Sequence, residues 1–174
     1  APGSGGAGST GSGAGAAGGG GGSGDGGASA STSASGTNGS GGTLNLPLNL
    51  NHHDPVLRQV FQDARFRKAL SLAINRDELN EVGYFGMGAP RQCGPPESSP
   101  YYDAAYAQAY VEYDPERANA LLDDMGLTER TRHGIRLRPD GKPFQVFIDF
   151  PNMAGNVQLM ELVAQYWSNV GIKT

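Results

Sequence analysis

The chain has 174 residues and a formal net charge of −4. Its mildly acidic balance, without a basic cluster, argues against nucleic acid as a partner. No run of about 18 apolar residues occurs, so no membrane-spanning helix is expected, and the first residues lack a charged region followed by an apolar one, so no signal peptide is expected.

Composition divides the chain near residue 43. Residues 1–43 hold 19 of the 28 glycines, carry Asp25 as their one charge and contain no Leu, Ile, Val, Met or aromatic residue. Such a segment cannot bury enough apolar surface to offset the entropy of ordering it, and a disordered coil is expected over 1–43. Residues 44–174 carry all 13 basic and 16 of the 17 acidic residues, a net charge of about −3, in a length that suits one domain or one lobe of a larger one. Leu44, Leu46, Leu48 and Leu50 alternate with Asn45, Pro47, Asn49 and Asn51, a period of two that predicts a strand, with Pro47 placing it at an edge or bulge. Phe66, Ala69, Leu70, Ala73 and Ile74 recur at helical steps and predict an amphipathic helix. Asn75 and Glu78 form an Asn-x-x-Glu capping pattern that starts another helix at once. Residues 86–100, with Gly86, Gly88, Pro90, Gly94, Pro95, Pro96 and Pro100, predict an extended, turning loop. Cys93, the one cysteine, excludes an internal disulfide and reads as a small, semi-buried residue of that loop.

Tyr102, Tyr106 and Tyr110 would form one stripe if their segment is helical, and tyrosines at this spacing read as the edge of a core rather than a ligand platform. Asp114-Pro115-Glu116 is a helix start, with Ala118, Leu121, Leu122 and Met125 as its buried stripe and Gly126 as its left-handed end. Pro139-Asp140-Gly141 supplies the turn of a hairpin between Ile135 and Phe144. Phe144, Val146, Ile148 and Phe150 share one face of a strand. A helix follows over about 157–169, with Met160, Val163, Ala164 and Trp167 inward, and Ile172–Thr174 begins another strand. Strand, helix and strand make a crossover unit with a parallel pair, within which the sequence stops, so the chain is expected to be a fragment of α/β class.

These pieces in this order resemble the family 5 extracellular solute-binding proteins, the oligopeptide- and dipeptide-binding receptors of ABC importers. The resemblance is carried by the strand Leu46–Asn51, the Asp63-x-Arg65-x-Arg67-x-Ala69-Leu70 helix ending in Ala73-Ile74-Asn75-Arg76-Asp77, and the Gly/Pro-rich loop. It continues in Tyr113-Asp114-Pro115-Glu116-x-Ala118, the Pro139-Asp140-Gly141-Lys142-Pro143 turn and the Gln165-Tyr166-Trp167-x-x-Val170-Gly171-Ile172 end. The fold it implies is part of the second lobe of a type II periplasmic-binding-protein-like fold, over residues 44–174. The implied role is the substrate-binding component of an ABC importer, outside the cytoplasm and membrane-tethered in the parent protein. It would be a monomer that captures a peptide or other small solute and hands it to a permease. The Gly-rich head then reads either as a natural tether or as a frame-shifted or wrongly joined reading of GC-rich DNA.

Few residues are placed near a ligand by this resemblance. Asn49 and Asn51, in the segment entering the lobe from the hinge, are the candidate ligand-binding residues, against a plainer role as polar strand residues facing solvent. His52-His53-Asp54 offers three metal-ligand types, but neighbours in an extended chain point in opposite directions, so no metal site is expected. There is no Gly-x-Ser-x-Gly elbow and no glycine pattern that follows a strand and opens a helix, so neither an enzyme nor a cofactor is expected. The alternative is a structural or interaction fragment with no ligand of its own.

Overall fold

The computed structural model describes residues 28–31, 46–150 and 156–174. Local sequence grammar sets most of its helices. Asp54 caps α1 (Pro55–Gln62), its Oδ1 accepting from the amides of Val56 and Leu57, with Pro55 at the first helical position where a missing N–H costs nothing. Asp63 both closes α1 and caps α2 (Ala64–Leu72), accepting from the Arg65 amide at 2.8 Å. Asn75 caps α3 (Arg76–Tyr84) by accepting from the Glu78 amide. Asp103 caps the short α4 (Ala104–Gln108), and Asp114 caps α5 (Pro115–Asp124), accepting from the Arg117 amide.

The sheet is small and parallel. β1 (Ala28–Ser31) pairs with β2 (Val146–Asp149), Ala28 opposite Val146. On the chain's return from α6 (Asn156–Asn169), Lys173 forms a parallel bridge with Gln145, the Val146 amide donating to the Lys173 carbonyl at 2.8 Å. Of the expected parallel pair around a helix, one bridge is present, and Ile172–Thr174 form no strand.

Helices and sheet share one core. Phe61, Phe66 and Phe144 stack in series, with ring centroids 5.6 and 5.2 Å apart, so α1, α2 and the strand edge meet along one aromatic column. Trp167 of α6 lies buried against α2, its indole N–H donating to the Leu70 carbonyl at 3.2 Å. α6 crosses α3 closely because residue 83 is glycine: a Cβ there would come within 2.7 Å of the Leu159 side chain. Burial and the Glu78 carboxylate, which accepts from the Tyr166 hydroxyl, push that hydroxyl's pKa up and hold the two helices together.

Several expectations are corrected. Within the coil expected over 1–43, Ala28–Ser31 form β1; the rest of that segment lies outside the described residues. The strand expected at Leu46–Asn51 is absent: only Leu48 makes a bridge and Leu50–Asn51 turn, leaving Leu50 exposed. The helix α1 was not anticipated, although Asp54-Pro55 carries the same start signal as Asp114-Pro115. The tyrosine stripe does not form, since α4 spans only Ala104–Gln108 and Tyr110 adopts left-handed backbone beyond it. Ala164 is only half-buried; the inward face of α6 is Leu159, Met160, Val163, Tyr166 and Trp167. Of the expected core, Phe66, Leu70, Ile74, Val146 and Trp167 are buried, while Leu121 and Ile148 are partly so. Cys93 is exposed rather than semi-buried. Glu78 turns toward Tyr166 instead of closing the capping pattern on the Asn75 amide.

Candidate functional site

The segment that carries Asn49 and Asn51 runs along the surface before entering α1. Asn49 and Asn51 are both exposed, and the Asn49 side chain accepts from the Asn51 amide at 3.0 Å, a short-range bond that replaces strand pairing. Gln62, at the end of α1, donates its side-chain N–H to the Leu50 carbonyl at 2.9 Å. His52 turns inward and is buried, its Nδ1 accepting from the Asp54 amide, with its ring edge-on to Phe61. The exposed His53 does not point away from His52 as an extended chain would have it: the two rings lie 4.3 Å apart, while Asp54 is committed to capping and ion pairing; among the described residues no group of three or more His, Cys, Asp or Glu could hold a metal ion.

The hairpin end supplies what the sequence reading missed. Its turn forms as expected, the Gly141 amide donating to the Arg138 carbonyl and Leu137 bridging Pro143. On its first strand Arg136 and Arg138 are buried, while Ile135 and Leu137 are partly exposed. Arg136 donates to the carbonyls of Val170, Leu127 and Asn119, to the Asn119 side chain, and to Asp123 at 2.5 Å. It accordingly ties α5, through Asn119 and Asp123, to Leu127 and Val170 in the segments just after α5 and α6. Arg138 Nη2 donates to Asp54 at 2.6 Å and to Asp140 at 2.8 Å. Burial opposes ionisation of Asp54, but the hydrogen bonds from Arg138 and from the Val56 and Leu57 amides outweigh it and hold the carboxyl below its ordinary pKa. The signal available in sequence was the Arg-Leu-Arg alternation itself, which places two guanidinium groups on one face of a strand.

A second feature lies in the Gly/Pro-rich loop. A shallow concavity of about 190 Å³ is walled by Arg91, Gln92, Pro95, Tyr101 and Tyr106. The loop is pinned from within: the Gln92 side chain donates to the Ala109 carbonyl at 2.7 Å and to Ser71 Oγ, which also accepts from Arg76 and donates to the Tyr110 carbonyl. The Tyr110 ring lies under two cations, Lys68 at 4.7 Å and Arg117 at 5.5 Å.

With this geometry established, comparison with known proteins is informative. Residues 27–174 match the family described as bacterial extracellular solute-binding proteins, family 5 Middle. The chain belongs to this family. The dipeptide-binding protein of Escherichia coli strain K12 is 29% identical over 119 residues, which cover 68% of this chain and 20% of that protein. The solved structure of an oligopeptide-binding protein, OppA, is 46% identical with a TM-score of 0.64, over 71% of this chain and 19% of that one. NikA from Brucella suis in complex with Fe(III)-EDTA is 26% identical with a TM-score of 0.55, over 72% of this chain and 24% of that one. The family 5 chain described here thus has the fold of part of a periplasmic binding protein, and it spans about a fifth of the length of the curated relatives it matches. Among the described residues of this family 5 segment, no helix is long and apolar enough to cross a membrane.

Proposed function

We propose that this chain is part of the substrate-binding component of an ABC importer, which captures peptides or similar small solutes outside the cytoplasm and delivers them to a membrane permease. The observation that carries this reading is the family match over residues 27–174, supported by relatives named for dipeptide and oligopeptide binding. The parent acts by binding alone, as a monomer, with no bond made or broken and no nucleic acid involved; it is periplasmic or extracellular and membrane-tethered. Residues 44–174 form part of its second lobe. Ligand stabilises the closed arrangement of two lobes through its greater affinity for that state. Asn49 and Asn51 are the residues of this segment that reach the solute, since both are exposed and the bond that the Asn51 backbone amide donates to the Asn49 side-chain oxygen leaves both side-chain NH2 groups available.

The test is a two-lobed protein in which residues 44–174 replace the matching segment of the Escherichia coli dipeptide-binding protein, titrated with dipeptides. Binding that weakens roughly tenfold in each of Asn49→Ala and Asn51→Ala is expected, the scale of one lost hydrogen bond. Unchanged affinity in both variants rejects these two residues as solute contacts.

A further inference from the structure

Two carboxylates from distant parts of the chain meet a single nitrogen of one arginine. The Arg138 side chain is 4% exposed, and its Nη2 lies 2.6 Å from Asp54 and 2.8 Å from Asp140. Asp140 belongs to the same hairpin turn, but Asp54 lies 84 residues earlier. The other Asp54 oxygen accepts from the first amides of α1, and the Asp54 amide donates to the buried His52. Gln62 holds the Leu50 carbonyl from the far end of the same helix. The stretch from Leu50 to Asp54 is consequently tied to both ends of α1 and, through one side chain, to the hairpin.

A buried ion pair adds little net stability over an apolar pair of the same size. What it adds here is a fixed distance and direction between two pieces of chain that share no backbone pairing. We infer that Arg138 is a positioning residue for the Asn49–Asn51 turn: by joining the hairpin to Asp54 it sets the direction in which the two exposed asparagines are presented. The significance of that direction rests on the proposed reading of Asn49 and Asn51 as solute contacts. Because one nitrogen bridges both carboxylates, a lysine ammonium is able to take over much of the role, whereas a neutral amide is not.

Amide hydrogen exchange by NMR on the full chain, comparing the parent sequence with Arg138→Gln and Arg138→Lys, is the test. In Arg138→Gln the Asp54 and Asn51 amides are expected to exchange roughly tenfold faster or more, with α2 and α5 unchanged. Arg138→Lys should recover most of the protection. Unchanged rates at Asp54 and Asn51, or an equal rise throughout the core, would overturn the inference, as would identical behaviour of the Gln and Lys variants. Should Arg138→Gln fail to fold, Asp140→Asn removes one acceptor and is expected to give a smaller rise confined to the same two amides; no rise, or a global one, counts against the inference. Coupled amides in a protein that binds no solute would sink only the reading of Asn49 and Asn51, and uncoupled amides only the role of Arg138.

Discussion

Replacing Trp167 with alanine removes the largest fully buried side chain of the core. The indole fills the space between α6 and α2 at 2% exposure, and its N–H satisfies the Leu70 carbonyl near the end of α2. In that last turn the Ile74 amide donates to Ser71 rather than to Leu70, so the indole is the partner that position depends on. The transfer and cavity cost of a Trp-to-Ala change is about 3–5 kcal/mol. Trp167→Phe keeps most of the volume and loses the hydrogen bond, so it isolates a cost of about 1–3 kcal/mol for an unsatisfied buried carbonyl. Equilibrium urea unfolding followed by far-ultraviolet circular dichroism is the assay, since the variants lack the chain's one tryptophan as a fluorescent probe. Because a whole domain is stable by only about 5–15 kcal/mol, Trp167→Ala is expected to leave it marginal. A loss below about 1 kcal/mol for Trp167→Ala would show that α6 does not pack on α2 as described.

Other perturbations probe separate parts of the account. Arg136→Gln should destabilise by about 3–5 kcal/mol in the same assay, and Arg136→Lys should not rescue it, because one ammonium cannot span acceptors on α5 and in the segments after α5 and after α6. The lowered pKa of Asp54 means that its contribution to stability is present above the unfolded carboxyl value of about 3.9 and is lost as pH falls through the still lower folded value. Acid titration of unfolding should accordingly show a steep loss below about pH 4 that is shallower in Asp54→Asn; parallel curves would contradict the ion pair with Arg138. Phe85 closes α3 at φ 53° while 81% exposed, so Phe85→Gly relieves left-handed strain with little lost burial and should raise stability by roughly 0.5–1 kcal/mol in urea unfolding.

The helices were legible where two independent signals agreed. Asp114-Pro115 supplied cap chemistry and Ala118 and Leu122 supplied the period, and α5 formed over Pro115–Asp124 as both required. Alternation alone misled: Leu44 to Leu50 has a strand's period, but among the described residues only Leu48 makes a bridge, while the Asn51 amide bonds the Asn49 side chain and Gln62 takes the Leu50 carbonyl. In the hairpin a polar-apolar alternation tells that two faces exist, yet which face turns inward was decided by distant groups, the Leu127 and Val170 carbonyls for Arg136 and Asp54 for Arg138. Those partners lie up to 84 residues away in sequence, beyond the reach of any local pattern. Ala28–Ser31 was illegible for a related reason: its partner, β2, lies far along the chain. The family order of motifs, by contrast, needed only local pieces in sequence, and it led to the right family although the strand expected at Leu46–Asn51 is not formed.

Under the proposed function, this family 5 segment would supply one wall of a solute cleft that the rest of a two-lobed protein completes. A ligand held on one wall loses both apolar burial and the paired polar groups that orient it. Titration calorimetry of the isolated chain beside the dipeptide-binding chimera, with one library of dipeptides to pentapeptides, tests this most directly. The account predicts binding at about micromolar affinity or better for the chimera and no measurable heat for the isolated chain. Micromolar binding by the isolated chain, or a folded chimera that binds nothing, would contradict it.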